Sequence, residues 1–393
     1  MVDTEGCPVS VASKLSRRRL LALAGTGALG TVAGCSGNGG NSTTAAETQT
    51  KTTTPTETTT PTETRTETPS PTPTETASFQ ENLDKVGCPT LEKDPDIVVA
   101  KDGSADFETI GEAIEAIPKN DPSGTQVYIT EGVYREKLEI PVKAMDVTFL
   151  GDGPEKTIIT YDDHANKKDE DGNSLGTFGT GTLTIWGYDF TAKDLTIRNE
   201  AEPIAQAIAA QAESERTMFL NCHITSYQDT LFVGGSQYLK DCYIEGDVDF
   251  IFGPGQGYYE NCAIHCVDDS GYVTAASTDQ RADYGLVFNN CEITGDAPDD
   301  SFYLGRPWGA YARTAFLNTE IGDHVKPVGW ARWSEPDAPD KRQTSFYAEY
   351  NNSGPGYTPE ERASWSHQLS ADEAEPYTDP ATVFEDWNPV QCL

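Results

Sequence analysis

Leu220-Asn221-Cys222-His223-Ile224 is answered twenty residues later by Lys240-Asp241-Cys242-Tyr243-Ile244, and after twenty more by Glu260-Asn261-Cys262-Ala263-Ile264. Asn289-Asn290-Cys291-Glu292-Ile293 continues the series. Lys193-Asp194-Leu195-Thr196-Ile197 and Leu317-Asn318-Thr319-Glu320-Ile321 fit it with Leu or Thr in place of Cys. The central positions 195, 222, 242, 262, 291 and 319 lie 27, 20, 20, 29 and 28 residues apart. Alternation along a strand puts the Cys and the Ile of each unit on one face. Units of this period with one short strand each predict an all-β fold, a right-handed single-stranded parallel β-helix. Leucine-rich repeats share the period but need several Leu per unit, which are missing here. A solenoid also suits the size. Residues 79–393 run without a second linker, which is long for one compact core, whereas a solenoid core grows lengthwise.

The repeat accounts for most of the cysteines. Cys222, Cys242, Cys262 and Cys291 share one phase and read as an inward stack of small apolar groups. A zinc site would need convergent pairs such as Cys-x-x-Cys, so no metal is expected. Cys88 and Cys392 lie near the two ends of the domain and are a candidate disulfide, with connectivity left open by the sequence. Ile97-Val98-Val99 reads as a strand. Asp106-Phe107 then opens a short helix with Ile110, Ala113, Ile114 and Ile117 on one face, stopped by Pro118. This helix is expected to cap the open N-terminal end of the solenoid.

Phase also brings two aspartates together. Asp229 lies seven residues after Cys222 and Asp249 seven after Cys242. Consecutive rungs stack about 4.7–4.9 Å apart, so the two are neighbours. Carboxylates this close cannot both ionise freely, and one is pushed toward the protonated form. A solvated acidic ladder is the plain alternative, and Asp269, in the same phase but in the polar run Val267-Asp268-Asp269-Ser270-Gly271, is read that way. Asp229 and Asp249 instead sit in Gln228-Asp229-Thr230-Leu231-Phe232 and Val248-Asp249-Phe250-Ile251-Phe252. An acid in apolar company calls for a function. Arg306, in Tyr303-Leu304-Gly305-Arg306-Pro307-Trp308, is the cation expected to hold one carboxylate through two hydrogen bonds. Its alternative is a surface arginine stacked on Trp308.

The motifs around these residues resemble the pectinesterase (pectin methylesterase) family of carbohydrate esterases, family 8. They are Phe107-Glu108-Thr109-Ile110, Gly132-Val133-Tyr134-Arg135-Glu136, Gln206-Ala207-Ile208-Ala209-Ala210 and Tyr227-Gln228-Asp229-Thr230-Leu231. Asp247-Val248-Asp249-Phe250-Ile251-Phe252-Gly253, Leu304-Gly305-Arg306-Pro307-Trp308 and Phe346-Tyr347-Ala348-Glu349-Tyr350 complete the set. Any one is weak; all of them in family order are specific. The resemblance implies a pectin lyase-like β-helix that hydrolyses C6 methyl esters of polygalacturonan to pectate and methanol, without a cofactor. It implies Asp249 as nucleophile, Asp229 as general acid and then base, Gln206 and Gln228 as oxyanion donors, and Arg306 as the group that orients Asp249. Phe232, Phe252, Tyr303 and Trp308 match positions that line the sugar groove, with Trp330 as a candidate extension. One departure stands out. The family often closes the Gln206 motif with Arg, where this chain has Gln211; substrate orientation or a structural ion pair is then altered.

Outside this domain the sequence reads as an address and a spacer. Residues 1–35 form a signal: a twin-arginine stretch, Ser16-Arg17-Arg18-Arg19-Leu20-Leu21, then an apolar run from Leu20 to Val32, then Val32-Ala33-Gly34-Cys35. The apolar run is short of the roughly 20 residues a membrane-spanning helix needs. Cys35 is the candidate lipidated residue. Residues 36–78 are low in complexity; 18 of the 34 positions from Thr43 to Thr76 are Thr, so nothing there can build a core. They read as an extended stalk holding residues 79–393 away from a membrane, and as a candidate carrier of O-linked sugar. The expected location is extracellular, lipid-anchored at the cell surface, and the expected state monomeric.

The charge is extreme: 28 Lys+Arg against 63 Asp+Glu, a net −35. Nucleic-acid binding, which needs clustered cations, is excluded, and so is charge-driven binding to an anionic membrane. Such self-repulsion becomes tolerable when salt at 1 M shortens the Debye length to about 3 Å. The surface therefore reads as halophilic, the duller alternative being an ordinary acidic secreted protein. Three other functions compete: the same site acting on another ester or thioester, a pectate lyase on the same scaffold, and a non-catalytic carbohydrate-binding module. A lyase wants a Ca²⁺-binding carboxylate cluster and a basic proton abstractor. A binding module has no need of Gln206, Gln228, Asp229, Asp249 and Arg306 together.

Overall fold

The computed structural model describes residues 88–89, 94–333 and 340–393. The signal, the stalk and Cys35 lie outside the described residues. Three parallel sheets of 11, 7 and 8 strands wind into a right-handed β-helix. One turn shows the plan. Thr217–Leu220 joins the 11-stranded sheet, His223–Thr225 the 8-stranded sheet and Leu231–Val233 the 7-stranded sheet; Ser236–Lys240 then returns to the first.

The repeat that reveals the fold is a corner and not a strand. Leu220 ends one strand, Asn221 turns the chain at φ 48°, and His223 begins the next. Asp194, Asp241, Asn261, Asn290 and Asn318 take the same left-handed conformation, which Asn and Asp tolerate better than other residues with a Cβ. The expected single strand per unit is thus corrected to three per turn in the middle of the domain. The Asn and Asp side chains also bond from rung to rung: Asn221 Nδ2 donates to Asp194 Oδ1 at 2.6 Å and Asn351 Nδ2 to Asn318 Oδ1 at 2.8 Å.

Inside the corner the stack is apolar. Ile159, Ile197, Ile224, Ile244, Ile264, Ile293 and Ile321 are register partners in succession and are all buried. Cys222, Cys242, Cys262 and Cys291 are buried free thiols beside them, joined by Cys266. The S–H groups of Cys222, Cys242, Cys262 and Cys291 have partners: Cys242 Sγ donates to Phe219 O at 3.2 Å, and Thr319 Oγ1, in the same phase, donates to Leu317 O at 3.0 Å. Tyr259, Phe288 and Phe316 stack through the core with ring centroids 4.2 and 4.3 Å apart.

One end of the core and one outer face are covered. The helix Ile110–Ala116 buries Ile110, Ala113 and Ile114 on the N-terminal end of the core. It starts later than expected, because Asp106 accepts a bond from Val98 N and Phe107 bridges Val99. Thr109 is the N-cap, and Glu136 takes the Ile110 and Gly111 N–H groups at 3.0 and 2.9 Å. At the other end of the chain, Ala374, Val383 and Phe384 pack against Met218, Tyr238 and Tyr258 on the outside of the 11-stranded sheet. A disulfide joins Cys88 to Cys392.

Candidate active site

The 7-stranded sheet carries the two aspartates. Leu231 pairs with Ile251 and Phe232 with Phe252, so Asp229 and Asp249 occupy equivalent places on adjacent rungs. Asp229 N donates to Val248 O at 3.1 Å. Both residues leave the ordinary strand conformation, with φ 64° at Asp229 and 54° at Asp249. At Asp249 the register with the next strand shifts between Val248 and Ile251. Such a bulge re-aims a side chain, and strained backbone collects at functional positions. Neither carboxyl is solvated: Asp229 is 8% exposed and Asp249 5%.

Arg306 meets Asp249 with both arms of its guanidinium. Nε donates to Oδ1 at 2.8 Å and Nη2 to Oδ2 at 2.6 Å. The guanidinium lies 3.9 Å from the Tyr272 ring centroid and 4.5 Å from that of Trp333. Tyr272 stacks on Tyr303 at 5.3 Å. The expected alternative, an arginine lying on Trp308, does not occur. Arg306 is held by two other rings, and that leaves its fork free to orient a carboxylate.

The environment separates the two acids. Burial pushes the Asp229 carboxyl well above the usual carboxylate range, the Asp249 charge adds to this, and the Arg306 charge opposes it only in part. Burial leaves Asp249 raised too, but less far than Asp229, because the Arg306 hydrogen bonds and charge oppose it. One carboxyl is thereby kept as an acid while its neighbour is held as an oriented anion, which is the pairing that nucleophilic catalysis with acid assistance needs. Gln228 stands immediately before Asp229, and Ala207 N donates to Gln228 O at 3.0 Å, which brings Gln206 to the adjoining rung. Both glutamines are partly exposed, and among the described residues neither side-chain amide is engaged in a hydrogen bond. They are free to donate to a bound oxygen.

The groove beside the acids is aromatic. Phe232, Phe252, Ile208 and Ala275 pack as one cluster, with Trp308 and Trp333 against it. Phe178 stands 51% exposed over this floor, with ring centroids 5.1 Å from Phe232 and 6.5 Å from Phe252. Trp330 is a correction. It is 2% exposed and stacks on Tyr347 at 4.7 Å inside the solenoid, so it does not extend the groove. Trp333, three residues on, takes the outward place. Phe178, Trp333 and Tyr272 went unread. Phe178 lies in the irregular stretch between Tyr161 and Leu183, and Trp333 beyond the last repeat, where no phase tells inside from outside. Tyr272 was within reach, because it is the register partner of Val248 and of Tyr303. Asp269 is exposed, as its polar setting implied. Among the described residues no three His, Cys, Asp or Glu side chains are grouped to hold a metal ion.

The pectinesterase family model matches residues 96–385. Pectinesterase 31 of Arabidopsis thaliana is 39% identical over 283 residues, 70% of this chain and 88% of that protein. A pectinesterase of Petunia integrifolia is 39% identical over 284 residues, 69% of this chain and 74% of the other. Against the much longer pectinesterase/pectinesterase inhibitor 58 of Arabidopsis thaliana the match spans about half, 48%, of that protein. Among solved structures, the pectin methylesterase from carrot superposes with a TM-score of 0.68 at 32% identity, over 77% of this chain and 98% of that one. A pectin methylesterase in complex with a hexasaccharide superposes with a TM-score of 0.67 at 30% identity, over 76% and 99%. A solenoid read from its corner repeat, an aspartate pair located by phase and a family match over most of the domain converge, and the chain belongs to the pectinesterase family.

Proposed function

We propose that the enzyme hydrolyses the C6 methyl esters of galacturonate units in pectin, giving pectate and methanol. The observation that carries this reading is the bidentate hold of Arg306 on Asp249, next to a buried second acid and an aromatic groove. In the proposed reaction an Asp249 oxygen adds to the ester carbonyl carbon. The carbonyl electrons move to oxygen, where the Gln206 and Gln228 amides donate hydrogen bonds to the oxyanion. Collapse expels the methoxy group, which takes the Asp229 proton and leaves as methanol. The acyl–Asp249 bond is then attacked by water, whose proton passes to Asp229, now the base. Product release returns Asp249 as carboxylate and Asp229 as acid. Phe178, Trp308 and Trp333 offer flat apolar faces to the sugar rings, over a floor of the buried Phe232 and Phe252, with Tyr303 buttressing Tyr272.

Methanol release from highly methylated pectin, recorded with absorbance of unsaturated product, tests the reading. Methanol without absorbance supports it; absorbance without methanol indicates a lyase. Neither signal from folded protein favours a different ester or a binding module.

The setting we propose is outside the cell. The twin-arginine stretch at Arg17-Arg18 supports export, Cys35 supports a lipid anchor, and the Thr-rich stalk supports display at a distance. The net charge of −35 supports work in concentrated salt. Mass of the mature N-terminal peptide tests the anchor: a diacylglyceryl-modified Cys35 is expected, and an unmodified N-terminus elsewhere would remove it.

A further inference from the structure

Glu213 is a carboxyl close to the groove that the proposed chemistry does not use. It follows Ala212, which points into the core, and therefore lies on the outer face with Gln211. Gln211 is the register partner of Phe232, and Ala212 of Val233, so Glu213 stands beside Gly234 on the rung that carries Asp229. A Cβ added at Gly234 would come within 3.0 Å of Glu213 Oε2. The carboxyl thus leans over a glycine toward the catalytic rung, where a Cβ would also meet Ala212 O at 2.7 Å and Glu213 Cα at 2.9 Å. On its other flank, the pairing of Ile185 with Ala212 places the exposed Trp186 next to it.

Its electrostatic company is unusual. Gln211 Nε2 donates to Glu213 Oε1 at 2.9 Å, and Gln211 is itself buried, with its Oε1 unpartnered. Among the described residues no Lys or Arg pairs with Glu213. Burial pushes the carboxyl up, and the Gln211 bond works the other way. Gln211 supplies an amide that braces the carboxylate without neutralising it.

We propose that Glu213, positioned by Gln211, discriminates by charge between methylated and free galacturonate in the unit bound over its own rung, one rung from Asp229 and two from Asp249. A free galacturonate there would set two carboxylates against each other in a partly desolvated groove, whereas a methyl ester would not. The enzyme would then prefer runs of intact ester and disengage from its own product. This rests on the pectin reading above.

The test compares kcat/KM for fully methylated and for half-methylated oligogalacturonides at mildly alkaline pH, in parent, Glu213→Gln and Gln211→Arg enzymes. Both substitutions remove the uncompensated charge. Each is expected to shrink the preference for full methylation by roughly tenfold, the scale of two like charges about 12 Å apart at an effective dielectric constant of about 20. Molar salt should shrink the parent's preference more than that of Glu213→Gln, a difference that a merely structural role would not give. Inhibition by unesterified oligogalacturonide should also tighten in Glu213→Gln. A preference unchanged in both variants, with methanol still released by the parent, overturns this assignment alone. No methanol from the parent overturns it together with the pectin reading.

Discussion

Arg306 grips both oxygens of Asp249, at 2.8 and 2.6 Å, while its own plane is clasped by Tyr272 and Trp333. The fork fixes the carboxylate plane and occupies one lone pair on each oxygen. A second lone pair stays available for attack.

Arg306→Lys is expected to lower turnover by about 10²-fold, since a single ammonium cannot fix the plane and small misplacements have effects of this size. In Arg306→Gln the groups that draw the Asp249 carboxyl down are lost. The acid limb of the kcat/KM profile should then move to higher pH, because Asp249 must be ionised to attack. An acid limb that stays in place would separate Arg306 from the ionisation of Asp249.

The aspartate pair also opposes stability at high pH. Burial raises both carboxyls above their unfolded values, so the folded chain binds more protons than the unfolded one. Stability from these groups is complete below the unfolded pKa and is lost as pH rises through the raised folded values. Asp229→Asn removes the larger part of this effect. It should abolish turnover yet unfold at a higher temperature than the parent at alkaline pH, by about 2–4 °C per kcal/mol relieved. Identical melting curves across pH would contradict it.

Trp330 and Trp333 should part company. Trp330→Ala empties a buried stack between Phe316 and Tyr347 and should cost about 3–5 kcal/mol of stability. Trp333→Ala should leave stability close to the parent's and instead raise KM and lower kcat, because it frees Arg306 on one face. Chemical denaturation and steady-state kinetics on both variants decide this. Equal loss of stability would place Trp333 in the core.

Salt should act as an activator. With a net charge of −35, self-repulsion and repulsion of pectate both fall as the Debye length shortens from about 10 Å at 0.1 M to about 3 Å at 1 M. Activity is expected to rise several-fold between low and molar salt. A flat or falling profile would leave an ordinary acidic secreted enzyme.

Much of this was legible in sequence because a solenoid writes its geometry as a period. The Cys and Ile phases gave the inner stack, and the same phase put Asp229 beside Asp249 without reference to any relative. What the period could not show was the corner itself. A left-handed Asn inside an alternating quintet looks like continuous strand until the backbone is seen, and so three strands per turn read as one. Where the repeat lapses, inside and outside become indistinguishable: Trp330 and Trp333 are both aromatic, and only packing against Phe316 and Tyr347 separates them. Glu213 was hidden for another reason. A carboxyl leaning over Gly234 is a relation between rungs, and the residues that make it eccentric are those it lacks.

The most direct measurement is methanol release from highly methylated pectin in molar salt by the parent and by Asp249→Ala, with circular dichroism to show that both are folded. The account predicts steady release by the parent and a loss on the order of 10⁴-fold or more in the variant, as expected when a nucleophile is removed. A folded Asp249→Ala enzyme that releases methanol at close to the parental rate would contradict it.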